Sequence, residues 1–522
     1  MNLENRILMS IPEASRWAAD YLKKPVSPSN ISYLVQYAQV KKTTHNGIIC
    51  IYIDELKEYY DALQRTQAEK WNGKQGFEDI LAFANLREKD TTKHIHRLHP
   101  YKGKFIPQLA EYFLDSHTDE LKREVYFSKG DIILDPFCGS GTALAQANEL
   151  GMHAVGVDIS HFNSLISNCK IAKVDLNILS REIKRMTDAL TSFVYKSRIL
   201  DFDNELLGKL NLFNLEYFPS YEYKIAVKQK AIREKEFAKQ KEAEFIPIYE
   251  ELVKKHNIRL HNEDIGTFMN KWFLPNVISE LRFAAKLIKQ SKDRGINDIL
   301  KLILSRTMRS CRATTHSDLA TLIDPVNTPY YCTKHYKICK PIFTIAKWWA
   351  TYSKDTIARY REFGQVSTLT NQLCLTGDSR TINIFQEVPW LSGRKIDGIF
   401  SSPPYVGMID YHEQHAYAYD LFGFPRHDES EIGPLCKGQG REAKEAYIKG
   451  IADVLHNCKK YMKPDFNIFL VANDKYGLYP IISERAGMII VNRYNRPVIN
   501  RTEKDKGEYS ETIFHLRNYY AK

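Results

Sequence analysis

Near the carboxyl end an apolar, strand-like run, Ile396–Phe400, leads directly into Ser401-Ser-Pro-Pro-Tyr405. The two prolines fix φ and remove backbone donors, so the carbonyls remain as acceptors beside the Ser402 hydroxyl. Acceptors of that kind suit a planar amino group. An amine conjugated to an aromatic ring is a poor nucleophile, and it becomes competent when its N–H groups are held and its lone pair is aimed at an electrophile. Tyr405 adds a flat face on which a base can stack. Attack on a positively charged methyl donor is then a matter of alignment, with no covalent nucleophile required. Ser402, Pro403, Pro404 and Tyr405 are therefore the candidate catalytic residues.

A second segment is suited to holding a donor. Ile132–Leu134 reads as a buried strand, ends in Asp135, and opens into Pro136-Phe-Cys-Gly-Ser-Gly-Thr142 ahead of a helix over Ala143–Leu150. Glycines at 139 and 141 allow positive φ and close approach of a ligand, and the helix start offers free N–H groups. A following strand, His153–Val157, ends in Asp158, 23 positions beyond Asp135. That spacing suits the binding of ribose hydroxyls. Alone, such a turn fits NAD equally well.

The full wording is more specific. DPFCGSGT resembles the S-adenosylmethionine-binding motif of the amino-methyltransferases, and SPPY resembles their catalytic motif IV. The resemblance covers residues 93–175 and 346–522 and implies S-adenosylmethionine as cofactor. It assigns cofactor contacts to Asp135, Pro136, Phe137, Gly139, Gly141, Thr142 and Asp158. His99–Leu109 resembles the segment that closes over the methionine end, giving Lys104 and Phe105, and Leu375–Ser379 resembles the third-strand motif, placing Asp378 toward the adenine. Serine at the first SPPY position resembles the cytosine-N4 enzymes; aspartate or asparagine is more usual in adenine-N6 enzymes. The activity implied is methyl transfer to cytosine N4 in duplex DNA after base flipping, in restriction–modification or related defence, with a cognate endonuclease as a candidate partner. The alternatives are an adenine-N6 DNA enzyme, a tRNA or other RNA N-methyltransferase, and an inactive DNA-binding regulator. Asp410, His412, Glu413 and His415 continue the SPPY segment and are expected near the pocket. Arg496–Arg501 with Tyr509–Thr512 resembles the terminal hairpin.

These segments require an α/β scaffold to bring them together, with strands and helices alternating over 91–175 and again over 346–522. The fold class expected is α/β: a Rossmann-like methyltransferase sheet with a largely helical target-recognition insertion and a small N-terminal winged helix-turn-helix. Residues 1–62 form the module, 63–92 a polar connector, 93–175 the cofactor-binding half, 176–345 the insertion and 346–522 the catalytic half. The module is read from helices at Ala14–Lys24 and Asn30–Gln39, a turn at His45-Asn-Gly47, a strand at Ile48–Ile53 and a helix from Asp54. That order resembles the excisionase/MerR-like family and leaves open DNA contact or protein docking. The charge run at 228–245 mixes signs at helical spacing and reads as a solvated face.

Within the insertion, Arg309, Arg312, Thr314, Thr315 and His316 are candidate contacts to phosphates or base edges. Tyr331–Cys339 contains Cys-x2-His-x3-Cys, which Cys311 or His316 could complete as a zinc site. The competing reading is packed thiols, and no metal is expected because the chemistry requires none. The net charge of +11 favours a polyanionic partner. Nine scattered cysteines argue against a disulfide framework. There is neither an apolar run of transmembrane length nor a secretory signal, so a cytoplasmic protein without membrane contact is expected.

Overall fold

The structure is a computed structural model. It describes residues 6–519 apart from 24–25, 37–38, 46, 71–77, 84–85, 87–90, 220–221, 317, 319–321 and 499–508.

The amino-terminal elements are β1 (Leu8–Ser10), α1 (Ile11–Leu22), α2 (Pro28–Gln36), β2 (Lys42–His45), β3 (Ile48–Tyr52) and α3 (Ile53–Lys70). The strands form an antiparallel sheet in the order β1-β3-β2. Helix, helix, hairpin and helix therefore follow one another as expected, with ends shifted by a few residues; Asn46 of the expected turn lies outside the described residues. At the start of α1 the Glu13 carboxylate accepts the Ser10 N–H at 2.9 Å, satisfying a donor the helix cannot. Ala14, Ala18, Ile31, Leu34, Ile51 and Leu56 form a small core of their own. One face of α2 is covered. Tyr33 stacks on His117 with centroids 4.1 Å apart, and the Asn30 amide donates to the Thr118 carbonyl at 2.6 Å. Helix α3 runs on to Lys70, so the expected connector begins as helix. α4 (Glu78–Ala82) and α5 (Pro107–Leu114) lead into the main sheet.

Residues 93–175 supply β4 (Ile132–Asp135), α6 (Thr142–Glu149), β5 (His153–Asp158) and α7 (His161–Ile171). All four residues of β4 are buried, which explains its unbroken apolar run. The insertion follows as α8 (Leu176–Lys196), α9 (Ile199–Tyr217), α10 (Glu222–Lys228), α11 (Glu234–Lys255), α12 (Phe268–Trp272), α13 (Pro275–Ile288) and α14 (Arg294–Ser310), with a hairpin of β6 (Tyr330–Cys332) and β7 (Lys337–Cys339). Helix α8 buries Leu179, Ile183, Met186, Leu190 and Val194, a stripe at helical spacing. Helix α11 buries only Ala238, Phe245, Tyr249 and Leu252, so most of the charge run is indeed a solvated face. Apart from a small cluster at Tyr330, Cys332 and Cys339, the insertion shares its core with the rest of the chain. Its side chains merge with Ile95, Phe162, Trp349 and Tyr360, so the expected boundaries near 175 and 345 fall inside one continuous cluster.

The chain then forms α15 (Ala346–Gly364), β8 (Gln372–Thr376), α16 (Ile384–Glu387), β9 (Ile396–Ser401), α17 (Tyr411–Gln414), α18 (Ala416–Phe422), α19 (Arg441–Lys459), β10 (Met462–Ala472), α20 (Tyr479–Arg485), β11 (Met488–Pro497) and β12 (Ser510–Asn518). The main sheet has the order β11-β12-β10-β9-β4-β5-β8. β10, β9, β4, β5 and β8 are parallel, and β12 pairs antiparallel to β10 and β11. Thus the chain leaves β4 in one direction, through β5 and β8, and returns to its other side as β9. That reversal creates a crevice at the carboxyl ends of β4 and β9, where open α/β sheets bind ligands. Among the described residues no helix is long and apolar enough to cross a membrane.

Candidate active site

At the reversal Ile133 lies opposite Gly398 and Leu134 opposite Ile399. The two chemical segments meet there. The Ser401 hydroxyl donates to Asp135 Oδ1 at 2.5 Å across 266 residues of sequence. Above this seam opens a cleft. Of the expected cofactor residues, Lys104, Phe105, Pro136, Phe137, Gly139, Thr142, Asp158 and Asp378 line it, and so do Ser402 and Pro404 of the catalytic motif. Asp135, Gly141, Pro403 and Tyr405 do not line it.

The turn is clasped from below. Gly139 and Gly141 have φ of +51° and +70°. The Gly139 N–H donates to Asp158 Oδ2 at 2.7 Å, and the other oxygen of Asp158 accepts the Ser160 N–H at 2.9 Å and the Asn163 amide at 3.1 Å. Burial pushes the Asp158 carboxyl up to about 6 against the pull of these donors. Asp135 lies beneath the turn, accepting from Ser401 and from the Phe137 N–H at 3.2 Å, and burial pushes it up to about 7. Burial opposes ionisation of Asp378, but the Arg380 guanidinium, bound to both its oxygens at 2.6–2.9 Å, outweighs this and holds its carboxyl below the usual range. The Lys104 ammonium is turned to the His96 carbonyl at 2.9 Å, and burial, with Arg97 nearby, pushes it down to about 8. Three cleft-lining polar atoms, Ser140 Oγ, Thr142 Oγ1 and Asn163 Oδ1, are buried with no hydrogen-bond partner among the described residues. Such atoms are left to be paired by a bound polar group or by water.

In the catalytic motif, the Ser402 hydroxyl donates to the Val471 carbonyl at 3.0 Å. Its proton is thereby committed, and its lone pairs remain as acceptors. Tyr405 faces a neighbouring hollow shared with Asn473, Asp474 and Tyr476. Its hydroxyl donates to Glu511 Oε1 at 2.9 Å, and the second Glu511 oxygen is paired with Arg496. Arg496 in turn donates to the Leu81 carbonyl at 3.2 Å. The terminal hairpin of β11 and β12 is thus the brace of Tyr405, a role that its polar residues at 496 and 511 did not announce. Arg501 lies outside the described residues.

The sequence reading missed Tyr101, Tyr411 and Glu431 in the cleft wall. Tyr101 and Tyr411 lie near parallel, with centroids 6.4 Å apart. Both stand inside segments already singled out, where an aromatic ring beside glycine or aspartate was the available signal. The residues expected near the pocket around 410–415 mostly support this wall. His412 is fully buried and pairs through Nδ1 with Glu431, whose carboxylate also accepts the backbone N–H groups of Tyr411 and His412. His415 is buried between His99 and Phe162, and burial pushes it down to about 3. Glu413 is exposed and pairs with Arg426 at 3.2 Å, and Asp410 accepts the Cys436 N–H at 3.1 Å.

Of the candidate nucleic-acid contacts, Arg312 and Thr314 are only 6% and 8% exposed. Arg309, Thr315 and His316 reach solvent. His316 lies beside Cys332, His335 and Cys339.

Residues 28–168 match a family model described as DNA methylase. The type II methyltransferase M.MjaII of Methanocaldococcus jannaschii is 43% identical over 526 aligned residues, covering 98% of this chain and 97% of that one. The type II methyltransferase M.MvaI of Kocuria varians is 34% identical over 131 residues, 24% of this chain and 27% of that one. Among solved structures, the rRNA methyltransferase aviRa from Streptomyces viridochromogenes aligns over 83% of this chain and 94% of its own at 10% identity and a TM-score of 0.27, a likeness too slight to bear on function.

Proposed function

The chain belongs to the type II methyltransferase family, and on that premise we propose that it transfers a methyl group from S-adenosylmethionine to the N4 amine of cytosine in duplex DNA. One observation carries the reading: Ser402 and Pro404 share a single cleft with Gly139 and Asp158, and the Ser402 proton is already given to Val471. The cleft's orphaned Ser140, Thr142 and Asn163 atoms and its positive-φ glycines fit a polar nucleoside ligand.

When bound, S-adenosylmethionine supplies a methyl group made electrophilic by its sulfonium. The glycine turn and Thr142 hold the methionine end, with Lys104 and Phe105 closing over it. Asp158 accepts from the ribose hydroxyls, and Asp378, fixed by Arg380, stands at the adenine end. A cytosine turned out of the helix lies against Tyr405. The Ser402 hydroxyl would accept one amino hydrogen and the Pro403 carbonyl the other, which would aim the nitrogen lone pair at the donor's methyl group, with the surplus amino proton passing to solvent. Serine rather than aspartate at 402 supports cytosine as the base. The residues at 309 and 315, in the insertion, are the candidate readers of sequence. The amino-terminal module is read as a winged helix-turn-helix that adds contacts to duplex DNA. Restriction–modification beside a cognate endonuclease, in the cytoplasm, is the setting this reading implies.

Digestion of DNA methylated by the purified enzyme, followed by nucleoside identification, tests the proposal. N4-methylcytosine is the expected product, and N6-methyladenine as the sole product overturns the choice of base. Single-base mapping on DNA from expressing cells returns the sequence context.

A further inference from the structure

We propose that His316, Cys332, His335 and Cys339 form a structural zinc site that ties the β6–β7 hairpin to the loop following α14. The site lies outside the methyl-transfer cleft and does not depend on which base is modified.

The geometry begins with the hairpin register. Tyr330 is opposite Cys339 and Cys332 is opposite Lys337. Cys332 and Cys339 therefore sit diagonally on one face of the ribbon. The turn between them is tight: the N–H groups of His335 and Tyr336 both donate to the Cys332 carbonyl, at 3.1 and 2.7 Å. It carries His335 back over that face, so that its Nδ1 lies 3.5 Å from each thiol sulfur. His316 arrives from the other side, with Nδ1 3.6 Å from the Cys332 sulfur. One donor atom from each of the four residues falls within 4.8 Å of every other.

Those separations are the edges of a metal tetrahedron. Zinc–sulfur bonds of about 2.3 Å and zinc–nitrogen bonds of about 2.0–2.1 Å at tetrahedral angles set the nitrogen-to-sulfur edge at about 3.6 Å. Thiol-to-imidazole hydrogen bonds are the alternative, Cys339 to His335 and Cys332 to His316, with the Tyr330 hydroxyl 2.8 Å from the same His316 Nδ1; the metal is preferred because one donor atom from each of the four residues is gathered in one place. Charge favours the assignment too. Two thiolates and two neutral imidazoles cancel the charge of Zn²⁺, which suits a turn that also carries Lys334 and Lys337. Binding releases the two thiol protons to solvent.

The hairpin also needs such a tie. On this face its local core consists of only Tyr330, Cys332 and Cys339 with Val326 against them, while Ile338 on the other face is buried in the large core. The metal would join the hairpin to the 311–316 loop, which is itself held by the Ala313 N–H to the Trp272 carbonyl at 2.7 Å and the Val326 N–H to the Ala313 carbonyl at 2.9 Å.

The full chain, purified without chelator, is expected to carry about one zinc per molecule. Exchange with Co²⁺ should give the visible absorption of a tetrahedral site together with sulfur-to-cobalt charge transfer. The double variant Cys332→Ser/Cys339→Ser should lose the metal at least tenfold, while Cys436→Ser, at the exposed cysteine, keeps it. Should the double variant fail to fold, X-ray absorption on the wild-type zinc protein decides: two sulfur and two nitrogen neighbours support the site. The assignment is overturned by protein that holds no zinc and takes up no cobalt, by full zinc in the folded double variant, or by a Cys332–Cys339 disulfide.

Discussion

Gly139 and Gly141 stand two residues apart in one turn, yet alanine at each should do different damage. Both have left-handed φ, so each Cβ carries roughly 1–2 kcal/mol of backbone cost. At 141 the added carbon would sit 2.9 Å from Ser167 Cβ and Oγ and 3.0 Å from its Cα. Ser167 belongs to α7, and a backbone atom cannot step aside without moving the helix. Overpacking of this kind adds roughly 1–3 kcal/mol, so Gly141→Ala should lose roughly 2–5 kcal/mol of stability. At 139 the carbon would meet the Tyr101 ring at 3.0–3.3 Å. That ring is a side-chain end in the cleft wall and can tilt, at a cost of about 1 kcal/mol. Gly139→Ala should therefore lose only roughly 2–3 kcal/mol of stability but bind S-adenosylmethionine about 5- to 30-fold more weakly. Thermal melting and calorimetric titration of the cofactor separate the two effects. The reasoning fails if Gly141→Ala melts with the wild type, or if Gly139→Ala loses as much stability as Gly141→Ala while keeping full affinity.

Ser402→Ala removes an acceptor for the target amine but no cofactor contact, so kcat should fall about 100-fold with cofactor affinity within about twofold; an unchanged single-turnover rate refutes this. Tyr405→Ala should weaken DNA binding and turnover together by roughly 1–3 kcal/mol through lost stacking. Glu511→Gln should cost only about 1 kcal/mol, because the ring remains and its brace is weakened; equal losses in the two would argue against stacking. Burial raises Asp158 to about 6 from ~3.9 in the unfolded chain. The stability this group contributes is thus present below about pH 4 and lost as pH rises through 6. Cofactor binding has the opposite sign, since ribose hydroxyls need the ionised acceptor. Affinity should rise up to about tenfold per pH unit toward pH 6 and then level, and Asp158→Asn should flatten that profile in a calorimetric pH series.

The crevice was legible because its parts are local. A strand buried on both faces reads as an apolar run, and at β4 and β9 the run stops at Asp135 and Ser401, where the ligand side begins. Length was harder to read. β10 starts at Met462, but Pro464 and the register shift between Met462 and Asn467 disguise its first half. Partnerships between distant residues were not legible at all. Nothing local to Tyr405 points to Glu511, and nothing in His412 reveals that Glu431 would bury it. For the Cys-x2-His-x3-Cys hairpin the sequence narrowed the fourth member only to Cys311 or His316, because a loop separates both from it, and the fold brings His316. The buried positions of Arg312 and Thr314 likewise follow from packing around α14, not from their own composition.

The bond from Ser401 to Asp135 closes a gap of 266 residues, and that gap has a cost during synthesis. At ~5–20 residues per second, β4 emerges roughly 13–53 s before the strand that will pair with its far side. Through that interval its Ile133 and Leu134 edge is an open template for any other extended chain. The nascent protein thus depends on its helical middle third, or on a chaperone, to keep that edge from the wrong partner until β9 arrives.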